Sequence, residues 1–197
     1  SFVSRGLGDV YKRQKKVSDI HAIKIIFFIT ACYVGLWAIR IPTIKDQLQT
    51  DYVGVGYIML SFAIGSIVAM IFANALILKT STKSILTCTL IAEGCLWLPV
   101  PFIQELWLFM VFSFVFGMSY GAFEIACNVY ASNLEVREKK SMMSGFHAFW
   151  SLGVLFGSLI TSFLLEWNYS FIFNILLYVI ILLPLSLYFV LCLESQV

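Results

Sequence analysis

The sequence predicts an all-α membrane protein of six transmembrane helices, and three observations carry that prediction. Of the 197 residues 60% are hydrophobic and only 12% are charged, against roughly 45–50% and 25% in soluble globular chains. Mean hydropathy is +0.92. The apolar residues fall in runs of about 20, the length that crosses roughly 30 Å of hydrocarbon as a helix, near 22–41, 54–78, 85–103, 106–132, 142–165 and 169–192. The net charge of +2 comes from Lys and Arg scattered between the runs, so no basic stripe points to nucleic acid as a partner.

The first fourteen residues, SFVSRGLGDVYKRQ, resemble the translated sequencing-adapter sequence found at the ends of metagenomic reading frames. No methionine precedes Met59, inside the second run. Residues 1–14 are therefore expected to be non-native and the true start missing, a basic cytoplasmic tail being the alternative. Span 1 carries Thr30, Tyr33, Trp37 and Arg40 along one stripe and reaches Ile41-Pro42, where the ring is expected to stop the helix. Arg40 has two readings. It snorkels to the outer interface, or it faces a cavity and holds an anionic or hydroxylated solute, with Tyr33 and Trp37 offering flat faces to a sugar-like ligand.

Span 2 contains Gly65-Ser66 in its middle, and span 3 has Glu93 near its centre, then Gly94, Trp97 and Pro99-Val-Pro101. A carboxylate in mid-span is a functional candidate. Its only polar companions at helical spacing are Thr89 and Trp97, so a structural hydrogen bond to a neighbouring helix is equally open. In span 4, Ser113, Gly117, Gly121, Glu124 and Asn128 follow at steps of three or four and share one stripe. Span 5, after a charged hairpin from Arg137 to Lys140, aligns Ser144, His147, Ser151, Ser158 and Ser162 on one face and sets Gly153 and Gly157 on the opposite one. The glycine pair is expected to let a helix approach closely while the polar stripes look into a cavity. Span 6, Tyr169 to Cys192, has only Asn174 and Pro184 to interrupt it and reads as packing and lipid contact. The cysteines, Cys32, Cys88, Cys95, Cys127 and Cys192, have neither C-x-x-C nor metal-ligand spacing, so they read as free packing thiols, with no metal or cofactor expected.

Lys15, Lys16, Lys24, Lys79, Lys83, Arg137, Lys139 and Lys140 fall on one side of the alternation and only Arg40 and Lys45 on the other. The positive-inside rule then puts both termini in the cytoplasm. The two halves echo each other in Gly65-Ser66-Ile67 and Gly157-Ser158-Leu159, and in a charged residue in spans 1 and 4. That is the outline of a 3+3 inverted repeat, a building unit of secondary transporters.

The run from Gly121 through Glu124 and Asn128 to Tyr130, the run Ser144-Gly145-Phe-His147-Ala-Phe-Trp150-Ser151-Leu-Gly153-Val-Leu-Phe-Gly157, and Leu36-Trp37-Ala38-Ile39-Arg40-Ile41-Pro42 together resemble the major facilitator superfamily. The branch is that of fucose-permease-like sugar:proton symporters and their bacterial relatives, and the resemblance runs from about residue 20 to the end. It implies residues 15–197 as the amino-terminal half of a twelve-helix transporter of the bacterial inner membrane, with a missing carboxyl-terminal half as partner. It also implies alternating access, a small sugar-like solute, and protons as the coupling ion. Glu124 stands where such symporters place an acidic residue and takes the proton-coupling role; Asn128, His147, Ser151, Trp37, Tyr33 and Arg40 are the implied solute-binding residues. The loop between spans 2 and 3 departs from the family pattern: Asn74, Leu78, Lys79, Ser81 and Lys83 stand where Gly, Asp and Arg are usual, and the acidic member is absent.

Efflux of another small molecule and a non-transporting scaffold or sensor are the alternatives. An enzyme is not expected. Ser144 and His147 share one helix, and Met142 stands where an intramembrane serine protease needs glycine. A channel with paired N-P-A half-helices is excluded because the tripeptide does not occur.

Overall fold

A computed structural model describes residues 18–194; the expectation for residues 1–14 lies outside the described residues. Within them the chain forms α1 (Asp19–Gln47), α2 (Tyr52–Lys79), α3 (Thr82–Trp97), α4 (Leu106–Glu138), α5 (Met143–Glu166) and α6 (Phe171–Cys192), with a 3-10 turn at Val100–Phe102 extending α3. All six are long and apolar enough to cross a membrane, α3 together with its 3-10 turn.

Two helix ends differ from the sequence expectation. Proline does not end the first helix, which runs through Pro42 to Gln47; a ring removes one backbone donor, and membrane helices absorb that loss where neighbours re-satisfy the freed group. The fourth helix extends to Glu138, so the charged hairpin begins inside its last turn, and Lys139 closes it in the left-handed region at φ 51°.

Local chemistry sets the other ends. Asp51, Ser81 and Ser170 cap α2, α3 and α6 by accepting the N–H groups of Gly54, Ser84 and Phe173 at 2.9, 3.1 and 3.2 Å. The fifth helix has no side-chain cap of its own. Glu135 of α4 supplies one instead, its carboxylate accepting the N–H groups of Met142 and of Met143, the latter at 2.7 Å. Gln47 closes the far end of α1 against the 3-10 turn by donating to the Val100 and Ile103 carbonyls at 2.9 and 2.6 Å.

The two most extensive helix pairs are α1 with α5 and α2 with α4; α3 rests on α4, α6 on α1, and α3 meets α6. Exchanging each helix for the one three places along reproduces that set. Because consecutive spans alternate in direction, the exchange also reverses direction, which makes the bundle a 3+3 inverted repeat. The glycines give the seams their closeness. A Cβ on Gly65 would strike the Phe114 carbonyl and one on Gly117 the Phe62 carbonyl; in the equivalent seam Gly157 meets the Cys32 carbonyl and Gly35 that of Val154. Gly153 meets the carbonyl of Phe28 in the same way, so the Gly153/Gly157 pair packs on α1 as its spacing predicts.

Two apolar clusters fill the bundle. One, around Ile26, Leu86, Tyr130, Leu134 and Phe146, lies toward the end where Asp19 meets Arg137. The other, around Leu36, Trp97, Phe109, Ile175 and Tyr178, fills the opposite half.

Candidate functional site

A cavity of about 390 Å³ opens among α1, α2, α3 and α4 in the second of these halves, with Tyr33, Trp37, Phe62, Glu93, Trp97 and Tyr120 in its wall. Its position follows from the seams: α1 is drawn onto α5 and α4 onto α2, so the large rings on the faces turned away from the glycines meet across the gap. Tyr33 stacks on Trp97 with centroids 5.8 Å apart and planes at 15°, while Phe116 meets Trp97 edge-on at 5.6 Å. Offset and edge-to-face geometry is what ring quadrupoles favour.

Glu93 stands in this aromatic wall at 7% exposure. Thr89 lies one turn away but donates to the Ile85 carbonyl of its own helix at 2.8 Å, so it does not serve the carboxyl. No described residue hydrogen-bonds Glu93. The Trp97 indole N–H is also buried without a partner among the described residues, although buried indole donors are usually paired. Tyr120 lines both this cavity and a small crevice behind it, shared with Thr89 and Ser119.

The residues expected to bind solute separate into two groups. Tyr33 and Trp37 line the cavity, Tyr33 also donating to the Tyr178 carbonyl at 3.5 Å. His147 and Ser151 lie on an exposed face of α5. The His147 ring stands edge-on to Phe27 at 5.7 Å, and Ser151 donates to the His147 carbonyl at 3.1 Å. Asn128, on α4, is half-buried. These three are not in the cavity wall.

Arg40 is not in the cavity wall and is turned toward the start of α6. It is 2% exposed, donates through Nε to Asn174 Oδ1 at 3.1 Å and through Nη2 to the Tyr169 carbonyl at 3.2 Å, and lies over the Phe171 ring at 5.5 Å. It is a tie between α1 and α6, because the helix continues past Pro42 and keeps the guanidinium beside the start of α6. The span 4 stripe is also divided. Gly117 and Gly121 face α2 carbonyls, Ser113 lines the cavity, and Glu124 is half-buried one turn beyond Tyr120, outside the cavity wall. Tyr120 interacts electrostatically with both Glu93 and Glu124, and its side chain hydrogen-bonds that of Trp150.

Sequence reasoning missed Tyr120 and assigned Trp97 no role. The available signal was Glu93 and Trp97 four residues apart and Tyr120 four before Glu124. Among the cysteines, Cys32 and Cys127 are buried, but Cys88 and Cys95 point outward from α3 and do not pack within the chain.

At the end where α1 begins, Arg137 pairs with Asp19 at 2.9 Å and with Glu194 at 3.2 Å. Lys83 donates to the Leu191 and Leu193 carbonyls at 2.9 and 2.6 Å. From the first turn of α3, just after the loop that lacks the family's acidic residue, Lys83 thus holds the end of α6.

The sequence profile described as the Major Facilitator Superfamily matches residues 25–195. An uncharacterized MFS-type transporter of Yersinia pestis is 28% identical over 148 residues, covering 74% of this chain and 38% of the relative. An uncharacterized transporter of Sinorhizobium fredii is 25% identical over 141 residues, covering 67% of this chain and 35% of that protein. The chain thus spans little more than a third of the length of these curated relatives. No solved structure matches significantly. A profile matched across nearly all six helices, on a bundle with this packing, shows that the chain belongs to the Major Facilitator Superfamily, a family of transporters and not of enzymes.

Proposed function

We propose that this chain is the amino-terminal half of a proton-coupled secondary transporter of a small, sugar-like solute, set in a bacterial inner membrane with both of its ends toward the cytoplasm. The observation that supports the coupling is that two carboxyl groups lie near one phenol: Glu93 shares the cavity wall with Tyr120, and Glu124 stands one turn of α4 beyond Tyr120. A carboxyl inside a span with no cationic partner among the described residues is a candidate to carry a proton. The Tyr120 hydroxyl, which is hydrogen-bonded to the Trp150 side chain, can both donate and accept, and in this reading it would relay the proton once water or a side-chain movement joins it to a carboxyl. Glu124 is the coupling group of this reading, and Glu93 exchanges the proton with the cavity.

The solute engages the exposed polar face, where His147 and Ser151 on α5 and Asn128 on α4 supply donors and acceptors suited to hydroxyl groups. A second six-helix half completes that site, and alternating access is the rocking of one half against the other. The sugar-like class rests on the resemblance to fucose-permease-like symporters; the positive-inside count supports the orientation.

Glu124→Gln in the full-length protein keeps the side chain's shape but cannot release a proton. It is expected to abolish uphill accumulation and leave solute exchange across proteoliposomes within about twofold of wild type. Proton-driven accumulation at the wild-type level in that variant would refute the assignment.

A further inference from the structure

We propose that residues 98–105, the connection from α3 to α4, form a strap that closes one end of the cavity, and that Gln47 in the last turn of α1 is its latch. Among the described residues of the cavity wall, Val100 alone lies outside an α-helix. It is buried with Ile103 in the apolar cluster away from Asp19 and Arg137, while Phe102 between them turns outward at 67% exposure. The strap thus stands across the cavity with two apolar anchors inside and one ring outside. Its own backbone holds it weakly. Pro99 and Pro101 bring no N–H; Leu98 donates to the Cys95 carbonyl at 3.2 Å and Phe102 to the Pro99 carbonyl at 2.9 Å. The Val100 and Ile103 carbonyls are held from outside, both by the one amide of Gln47, at 2.9 and 2.6 Å. The latch is within reach because α1 runs on through Pro42 to Gln47.

The two states of the strap are balanced. Closed, it leaves the Glu93 carboxyl and the Trp97 indole N–H behind it without a hydrogen-bond partner among the described residues, and a buried polar group left unpaired is costly. Lifted, it gives both groups water, and water also takes the two carbonyls that Gln47 releases. What opposes lifting is the exposure of Val100 and Ile103. The helical walls have no such freedom: Gly65 of α2 and Gly117 of α4 each stand against the other helix's carbonyls, so moving either breaks a seam. Connections with few buried contacts open first, and lids over cavities are drawn from them. The strap therefore governs when water reaches Glu93. This goes beyond the transport reading and is measured without uptake, so the failure of either leaves the other standing.

The test is the reaction of a water-soluble maleimide with single cysteines placed in a cysteine-free form of the full-length protein in detergent micelles. Val100→Cys is expected to react about tenfold more slowly than Phe102→Cys, on the outer side of the same strap. Gln47→Glu keeps the shape of the latch but loses its donors and should speed Val100→Cys about tenfold; Gln47→Lys restores a donor and should keep the slow rate. Leu134→Cys, fully buried in the other apolar cluster, should stay unreactive throughout. A second measurement needs no introduced cysteine: in Gln47→Glu, hydrogen exchange at the Leu98 and Phe102 amides should quicken about tenfold while residues 123–134 of α4 keep the wild-type rate. Equal reaction of Val100→Cys and Phe102→Cys with Gln47 in place would show that no strap is closed. Unchanged rates in Gln47→Glu, or Gln47→Lys as fast as Gln47→Glu, would show that the amide is no latch, and loosening at Leu134→Cys or along α4 would show that Gln47 supports the whole bundle. Each of these results overturns the proposal.

Discussion

A guanidinium 2% exposed inside an apolar bundle has to be accounted for by its own contacts. Arg40 spends them on Asn174, Tyr169 and the face of Phe171. Removing it strands the Asn174 carbonyl oxygen, on a residue whose amide nitrogen is already unpartnered among the described residues. Arg40→Met is therefore expected to lower stability by about 1–3 kcal/mol, read from unfolding of the purified chain in mixed micelles. In an Asn174→Leu background the same change should cost much less, since both ends of the pair are then apolar. An equal loss in both backgrounds would show that Arg40 acts through something other than this tie. Nothing in the local sequence announces the pair, because its members lie on α1 and α6. Spacing along one helix identifies a face and not the neighbour that covers it, which is also why Glu93 read as ambiguous: the aromatic wall that surrounds it comes from α1, α2 and α4. Tyr33 and Trp37 were legible as an aromatic stripe, but their partner Trp97 was not.

At the scale of helices, the close seams are the most legible feature and the most sensitive. The small residues at steps of three and four give away that a backbone must approach, and the structure supplies the backbones: Phe62 and Ser66 of α2 against Gly117 and Gly121, Phe28 and Cys32 of α1 against Gly153 and Gly157. What spacing could not tell apart was a stripe that packs from a stripe that faces a cavity. Gly117 and Gly121 share a face with Glu124 by arithmetic, yet the crossing with α2 uses that face for contact and leaves only Ser113, at one end of the stripe, in the cavity wall. Gly117→Val and Gly157→Val each place branched carbon atoms where a carbonyl stands. Each should destabilise by about 1–3 kcal/mol or more and render its seam open to proteolysis. Gly56→Ala, with nothing within 4 Å of the new Cβ, should be neutral or stabilising by up to about 1 kcal/mol. Comparable losses at all three positions would mean that the seams are not held by close backbone approach.

For the molecule as a whole, six spans and their alternation were readable from hydropathy, because crossing roughly 30 Å of hydrocarbon leaves few other options for a chain this apolar. The repeat was readable only faintly, in two short matches, since its symmetry lives in the packing of α1 on α5 and α2 on α4 more than in shared residues. The outward apolar faces, for example Ile67 and Ile71 on α2 and Leu155 and Leu159 on α5 at 56–68% exposure, suit lipid or a second half. In the proposed transporter one of these faces meets the carboxyl-terminal half, so residues 15–197 alone should not move solute. The measurement that bears most directly on this reading is uptake of a panel of radiolabelled monosaccharides into cells making the full-length protein, with and without a protonophore. At least one sugar is expected to accumulate above its external concentration and to fall to equilibrium when the proton gradient collapses, while cells making residues 15–197 alone accumulate none. Accumulation untouched by the protonophore, or reproduced by residues 15–197 alone, would contradict the account, as would a functional protein that moves none of the sugars.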